Sequence, residues 1–318
     1  MRKSRITKLK ANIRPIIGLT LGDPEGIGPE IIQKGLAAYR PAVPVVIVGG
    51  PTCMPDLATI HIRSLDEVSS ANIYKYDLSP TATAPEPSFA FLKCATEWAL
   101  AGQIGAVVTA PISKAKWAKS GLPYRGHTDF LAWISGATQS AMLFYSSRLK
   151  VIPFTVHVPL REVFGHLDFR AVVRFLRFVD EDMRRLFGGS FRFLVSGLNP
   201  HAGEDGWLGH EEIDILRPAV EAVKSTVDIH GPFSPDVVFQ KAQEDGRAVV
   251  VCWYHDQGLI PFKLLNALNG VNLTLGLPFI RTSPVHGTAF DIAGKGIADP
   301  GSWIDALRLA ERLLSRSV

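Results

Sequence analysis

Short apolar runs alternate along this chain with stretches whose apolar residues fall three and four apart. The runs over 15–20 (PIIGLT), 43–48 (VPVVIV) and 106–109 (AVVT) are rich in β-branched residues and bounded by Gly or Pro, which predicts buried strands. Residues 31–39 (IIQKGLAAY) and 89–101 carry helical spacing instead. From 51 to 87 the sequence is polar, Pro-rich and weakly periodic, and predicts no regular element. Strand patterns return at 142–147 (MLFYSS), 151–158 (VIPFTVHV), 191–198 (FRFLVSGL) and 248–255 (AVVVCWYH), and helical patterns at 169–187, 211–225 and 302–315. This alternation predicts an α/β fold with largely parallel strands. There is no repeat, low-complexity tract or flexible linker, so two domains would share segments rather than follow one another.

The 318 residues are enough for two domains, or for one large α/β unit with a deep cleft. Hydrophobic residues at 47% and charged residues at 20% match an ordinary soluble globular protein. The formal charge of +4 owes much to the tip RKSRITKLK, which reads as a solvated terminus before it reads as a nucleic-acid or membrane site. That tip lacks the apolar core of a signal peptide, and no apolar run is long enough to span a bilayer. Cys53, Cys94 and Cys252 are too few and too widely spaced for a disulfide framework or a Cys-rich zinc site. The expectation is a cytoplasmic protein with no nucleic-acid or membrane partner.

Between 253 and 302 three chemically different stretches follow one another. In WYHDQGLIPFK, His255 and Asp256 stand beside a glycine, a layout for a metal ligand on a loop. In GVNLTLGLPFIRTS, Asn272 and Arg281 flank a short buried segment. HGTAFDIAGKGIADPGS is studded with glycines, whose bare backbone lets amides approach a nucleotide. Together they point to an oxidoreductase acting on an anionic substrate. Three predicted strands also run into histidines: His157, His201 and His255. One such histidine reads as an ordinary polar residue, whereas three in equivalent contexts read as ligands of a divalent ion. In GHTDF, His127 and Thr128 after Gly126 either hold a phosphate or open a helix, and a helix N-terminus can do both. Lys263 and Arg281 follow apolar stretches and are candidate anion partners, the guanidinium through two parallel bonds. Lys114 in TAPISK reads equally as a cleft residue or a solvated one. GDPEGIGPE lacks both the GxGxxG spacing and the Walker lysine, and reads at least as well as a turn opening the first helix.

Six blocks, GDPEGIGPEI, TAPISK, GHTDFLA, GLNPHAGEDG, YHDQGLIPFK and NLTLGLPFIRTSPVHGTAFDIAGKG, resemble in content and order those of the 4-hydroxythreonine-4-phosphate dehydrogenase (PdxA-type) family. The resemblance implies an α/β fold like that of isocitrate and isopropylmalate dehydrogenases. It would form one unit over 14–315, with two interleaved α/β subdomains around a central cleft and a basic extension over 1–13. It also implies a homodimer whose active site is shared across the interface, His157 serving the site of the partner subunit. The implied reaction is metal-dependent oxidation of 4-phosphohydroxy-L-threonine by NAD, with decarboxylation to 3-amino-2-oxopropyl phosphate, in pyridoxine 5′-phosphate biosynthesis. By the same resemblance His157, His201 and His255 hold a divalent metal ion, with Zn, Mg, Co and Mn not distinguished. Substrate contacts fall on His127, Thr128, Lys263, Asn272 and Arg281. NAD falls on His286, Gly287, Ala289 and Asp299, in a loop similar to the adenosine-binding loop of the isocitrate-type enzymes. Asp256 and Lys263 are the candidates for taking the hydroxyl proton, and Asp256 alternatively orients the imidazole beside it. The chain departs from the family pattern at Glu25, where a small residue is usual, at Arg125, where Pro or Thr is common, and in a short 51–97 segment. Those departures keep a relative acting on 4-phospho-D-threonate or 4-phospho-D-erythronate as the second reading, and a non-catalytic metabolite-binding homologue as the third.

Overall fold

Every residue of β1 (Ile17–Thr20) is buried, as an uninterrupted apolar run requires. The loop after it enters α1 (Gly28–Ala38) through Pro29, which brings no N–H to leave unpaired in the first turn. β2 (Val45–Gly49) follows. Two strands, β3 (Ile60–Ile62) and β4 (Ile73–Asp77), then occupy the stretch in which the sequence predicted no element. Glu86 caps α2 (Pro87–Ala101) by accepting from Phe89 N at 3.1 Å, and Gly102 ends it with a left-handed φ of 78°. β5 (Ala106–Thr109), α3 (Lys114–Lys119) and α4 (His127–Ser135) complete the first part of the chain. The computed structural model describes residues 14–316 apart from 51–53, 55–56, 79–85 and 267–268. The basic extension over 1–13 and Cys53 therefore lie outside the described residues.

The middle of the chain runs through β6 (Ala141–Tyr145), β7 (Lys150–Pro153), the single turn α5 (Val163–His166) and α6 (Phe169–Phe187). α6 shows how sequence sets an element here. Asp168 accepts from Arg170 N and Ala171 N at its start, and Gly188 closes it at φ 67°. Between them Val172, Phe175, Leu176, Val179, Met183 and Leu186 form one buried stripe. Each contributes about 1.5–3 kcal/mol by leaving water. Phe175 packs edge-on against Phe154 at 5.0 Å, so Phe175→Ala should cost ~3–5 kcal/mol. β8 (Arg192–Ser196), a π-helical turn at Glu212–Leu216, α7 (Arg217–Val223), β9 (Ile229–Phe233), α8 (Val238–Gln243), β10 (Ala248–Cys252) and α9 (His255–Leu265) follow. The chain ends with β11 (Val271–Leu275), β12 (Ile280–Pro284) and α10 (Gly301–Leu314).

These elements form two compact units, Met1–Ser140 with Leu268–Val318, and Ala141–Ala267. In the first, the strand order is β3-β4-β2-β1-β5-β12-β11, parallel throughout except for the β11–β12 hairpin. α10 lies on β12 and β5, with Trp303 fully buried. A Cβ on Gly35 would come within 2.4 Å of the Trp303 ring, so α1 and α10 approach this closely only over a glycine. In the second unit the order is β6-β7-β10-β8-β9, parallel except for β6–β7. Largely parallel strands between helices are what the alternating pattern predicts. Among the described residues no helix is long and apolar enough to cross a membrane.

Candidate active site

In the first unit β1, β5 and β12 are neighbours and point the same way, so the loops leaving them share one edge of the sheet. Arg281, the second residue of β12, is only 2% exposed. Its Nη1 donates to Thr274 Oγ1 at 3.0 Å and its Nη2 to Thr109 Oγ1 at 2.7 Å. Its Nε is buried without a partner, and no described carboxylate stands within ion-pair distance. Burial alone pulls its pKa down to about 9, still high enough to stay charged at neutral pH. His127 opens α4 behind Gly126, and its Nε2 is likewise buried without a partner among the described residues. Burial first, then the cations of Arg281 and Lys114, hold this imidazole well below its usual pKa, so it is neutral. Trp117 backs its ring edge-on at 5.9 Å. Thr128 is half-buried in the same first helical turn, and Asn272 on β11 pairs in register with Ser283 on β12. A buried guanidinium, a lysine and an imidazole at a helix N-terminus are groups of the kind that receive an anion.

The glycine-rich loop after β12 belongs to this unit too. The Nε2 of His286 is buried without a partner, while its Nδ1 sits 3.1 Å from the Gly287 carbonyl. Burial lowers the pKa of this ring, against the Gly287 carbonyl and the carboxylate of Asp299. Gly287 is exposed, with open space where a Cβ would stand, and Ala289 takes a left-handed φ of 41°. Asp299 Oδ1 accepts from Gly301 N at 2.6 Å and so fixes the entry to α10. An orphaned imidazole nitrogen above open backbone fits a dinucleotide ligand. Beside this loop lies a cluster that pattern reading missed. Lys116 Nζ donates to Asp23 Oδ1 at 2.8 Å and to Glu25 Oε2 at 2.7 Å, and lies 5.1 Å from the Phe290 ring centre. Burial works against the ammonium, but the two carboxylates hold its pKa above the usual range. Glu25, the departure from the family pattern, is thus an ion-pair partner.

In the second unit the structure corrects two sequence expectations. His255 is the first residue of α9, not a loop residue, because Tyr254 is already extended and the helix starts directly after it. β7 and β10 also stop at Pro153 and Cys252, short of their histidines. Pairing continues irregularly, with Phe154 N and Thr155 N donating to the carbonyls of Cys252 and Trp253. The rings of His157 and His255 come together, 5.7 Å between centres. His255 Nδ1 is 2.6 Å from Asp256 Oδ1, a contact that orients the ring. His201 sits in a different setting, a turn in which His201, Ala202, Glu204 and Asp205 all have left-handed φ. At ~1–2 kcal/mol each, such residues need buttressing. The fully buried Glu212 supplies it by accepting from Leu198 N at 2.7 Å and Asn199 N at 2.8 Å. Among the described residues no group of three His, Cys, Asp or Glu stands close enough to hold a metal ion. Two imidazoles, one beside a carboxylate, match in kind the donors a divalent ion takes, and among the described residues His157 and His255 are the two that stand together. Lys263 is exposed in the last turn of α9.

The fold is that of the isocitrate-type dehydrogenases. A β-decarboxylating dehydrogenase from Thermococcus kodakarensis superposes with a TM-score of 0.52 at 17% identity, covering 95% of this chain and 87% of that one. An isocitrate dehydrogenase from Methylococcus capsulatus does so with a TM-score of 0.50 at 15% identity, covering 95% and 88%. Residues 46–310 match the family described as pyridoxal phosphate biosynthetic protein PdxA, and the chain belongs to that family. It is 41% identical to a 4-hydroxythreonine-4-phosphate dehydrogenase of Aquifex aeolicus, over 94% of this chain and 98% of that one. It is 40% identical to a D-threonate 4-phosphate dehydrogenase of Pectobacterium atrosepticum, over 94% and 99%. The crystal structure of a 4-hydroxythreonine-4-phosphate dehydrogenase from Klebsiella pneumoniae matches with a TM-score of 0.83 at 38% identity, covering 96% and 99%.

Proposed function

We propose that this protein oxidises the C3 hydroxyl of 4-phosphohydroxy-L-threonine with NAD and releases 3-amino-2-oxopropyl phosphate after decarboxylation, a step toward pyridoxine 5′-phosphate. The observation that carries the reading is Arg281, a buried cation with two hydroxyl partners and, among the described residues, no carboxylate. The substrate phosphate would be its missing counter-charge, with His127, Thr128, Lys114 and Asn272 around it. Holding the phosphate spends remote binding energy on fixing the reacting carbon.

In the reaction the hydroxyl proton leaves to a base and the hydride on the same carbon goes to the nicotinamide, so the oxygen pair forms a carbonyl. The carboxylate now lies β to that carbonyl. Its C–C bond breaks, CO₂ departs, and the electron pair forms an enolate that a proton quenches. NAD, held by the loop carrying His286, Gly287, Ala289 and Asp299, supplies the hydride acceptor. A divalent ion at His157, His201 and His255 would supply Lewis acidity toward the hydroxyl and the later carbonyl oxygen. The bond from Asp256 to His255 supports an orienting role for this carboxylate, which leaves Lys263 as the candidate base. The setting we propose is a cytoplasmic homodimer sharing its active sites. The large apolar side chains that the second unit exposes, Leu160, Phe164, Trp207, Ile260 and Leu264, support a covering partner.

A second reading, oxidation of 4-phospho-D-threonate or 4-phospho-D-erythronate, is favoured by the Pectobacterium relative. NADH formation from each phosphorylated compound, with and without added divalent metal, tests both readings. Absence of turnover with all three while NADH binds normally would instead support a metabolite-binding role.

A further inference from the structure

We infer that Glu30 and Lys34 are positioning residues that hold the glycine loop in its cofactor-binding shape, an inference that rests on the dinucleotide reading of that loop. The two stand one turn apart on α1 and pair at 2.9 Å. An exposed pair at this spacing adds only ~0.3–0.5 kcal/mol to a helix. This one does more, because both partners also reach across to main chain far away in sequence. Glu30 accepts from Ala298 N at 2.8 Å and from Gly296 N at 3.3 Å. Lys34 donates to the carbonyls of the same two residues, at 2.8 Å for Gly296 and 2.9 Å for Ala298. One ion pair therefore satisfies four backbone groups that no strand pairs. Burial tends to raise the pKa of Glu30, but Lys34 and the two amides outweigh it and keep the carboxylate ionised.

The other end of the loop is tied to the same helix entrance, where Ile27 N donates to Thr288 O at 2.9 Å. Between these anchors the loop is largely exposed and holds itself with two local bonds, Ile292 N to Ala289 O and Lys295 N to Ile292 O. It also contains Gly294 and Gly296, both with left-handed φ, which leave the free backbone many alternatives. A ligand that had to order such a loop would bind more weakly by the entropy of ordering. The clamp removes that cost before the dinucleotide arrives.

The test uses the full-length protein as wild type, Glu30→Gln and Lys34→Met, measured by calorimetric NAD titration, steady-state kinetics and amide exchange of peptides covering 286–298. In Glu30→Gln the charge-assisted bonds are lost and the new amide N–H faces backbone donors. We expect exchange over 286–298 to quicken at unchanged global melting, and Kd and KM for NAD to rise about tenfold. KM for the phosphorylated substrate should stay within about twofold and the loss should not fall on kcat. Lys34→Met, which keeps the carboxylate, should show the same pattern at about threefold and serves if the first variant does not fold. NAD binding and loop exchange equal to wild type in both variants would overturn the clamp and leave the cofactor reading standing. Equal losses for NAD and for the second substrate would also overturn it, as a general structural defect. No NAD binding by wild type would overturn the cofactor reading itself, and the inference with it.

Discussion

Replacing Arg281 by Met removes the charge and keeps a long, apolar, adaptable side chain in the space. In the ligand-free protein the guanidinium is held at a loss, since burial alone lowers its pKa to about 9, a penalty of several kcal/mol. Arg281→Met relieves that loss, while Thr109 and Thr274 each lose a bond worth ~1 kcal/mol. The ligand-free variant should therefore be as stable as wild type, or ~1–3 kcal/mol more stable. Binding changes in the opposite direction. A phosphate facing a buried guanidinium gains a charge-assisted, two-pronged contact, and truncating one partner of such a pair costs ~2–5 kcal/mol. The expected loss is roughly 30- to 5,000-fold in affinity. Thermal melts and calorimetric titration with inorganic phosphate and with 4-phosphohydroxy-L-threonine measure the two halves separately. A variant that melts far below wild type yet binds phosphate unchanged would refute the reasoning, because Arg281 would then be a structural residue.

His127 binds a proton less readily folded than unfolded, so its contribution to stability is full above the unfolded value near 6.5 and is lost as pH falls through the depressed folded pKa. Melts between pH 8 and pH 5 should therefore show an acid-side decline that is smaller in His127→Gln and smaller in phosphate buffer; identical profiles would discount the buried imidazole. Glu212→Ala removes two bonds that a carboxylate accepts, from Leu198 N and Asn199 N, and should cost ~3–5 kcal/mol, read by urea denaturation, whereas a cost under 1 kcal/mol would show that the left-handed turn holds itself. His201→Ala should lower bound divalent metal, measured by elemental analysis, and abolish turnover at unchanged melting temperature; full metal content with full activity would remove it from the ligand set.

Parts of the molecule were legible in the chain because local and long-range demands agree there. α6 covers 169–187 as the amphipathic stripe predicts, bounded by Asp168 and Gly188, and β5 covers 106–109, a short run with two valines between helices. β3 and β4 were not legible. β3 is a three-residue edge strand with two exposed residues, and β4 carries Lys75 and Asp77, so neither shows a continuous apolar signal. His255 was misread because Gly258 and Pro261 look like loop punctuation, yet both lie inside α9. For the anion site, residue types pointed to Arg281 and His127. What the sequence cannot display is that Arg281 has no carboxylate partner among the described residues, a property of the folded environment. The Lys116 cluster stayed hidden for a similar reason, as its carboxylates lie 93 and 91 positions away.

We propose that the buried Arg281 selects a phosphorylated hydroxy acid for NAD-linked oxidation. The most direct test is NADH release by the metal-loaded protein from 4-phosphohydroxy-L-threonine, 4-phospho-D-threonate, 4-phospho-D-erythronate and dephosphorylated 4-hydroxythreonine under the same conditions. We expect the highest kcat/KM for 4-phosphohydroxy-L-threonine, and a value at least about 100-fold lower for the dephosphorylated compound. Equal kcat/KM with and without the phosphate would contradict it.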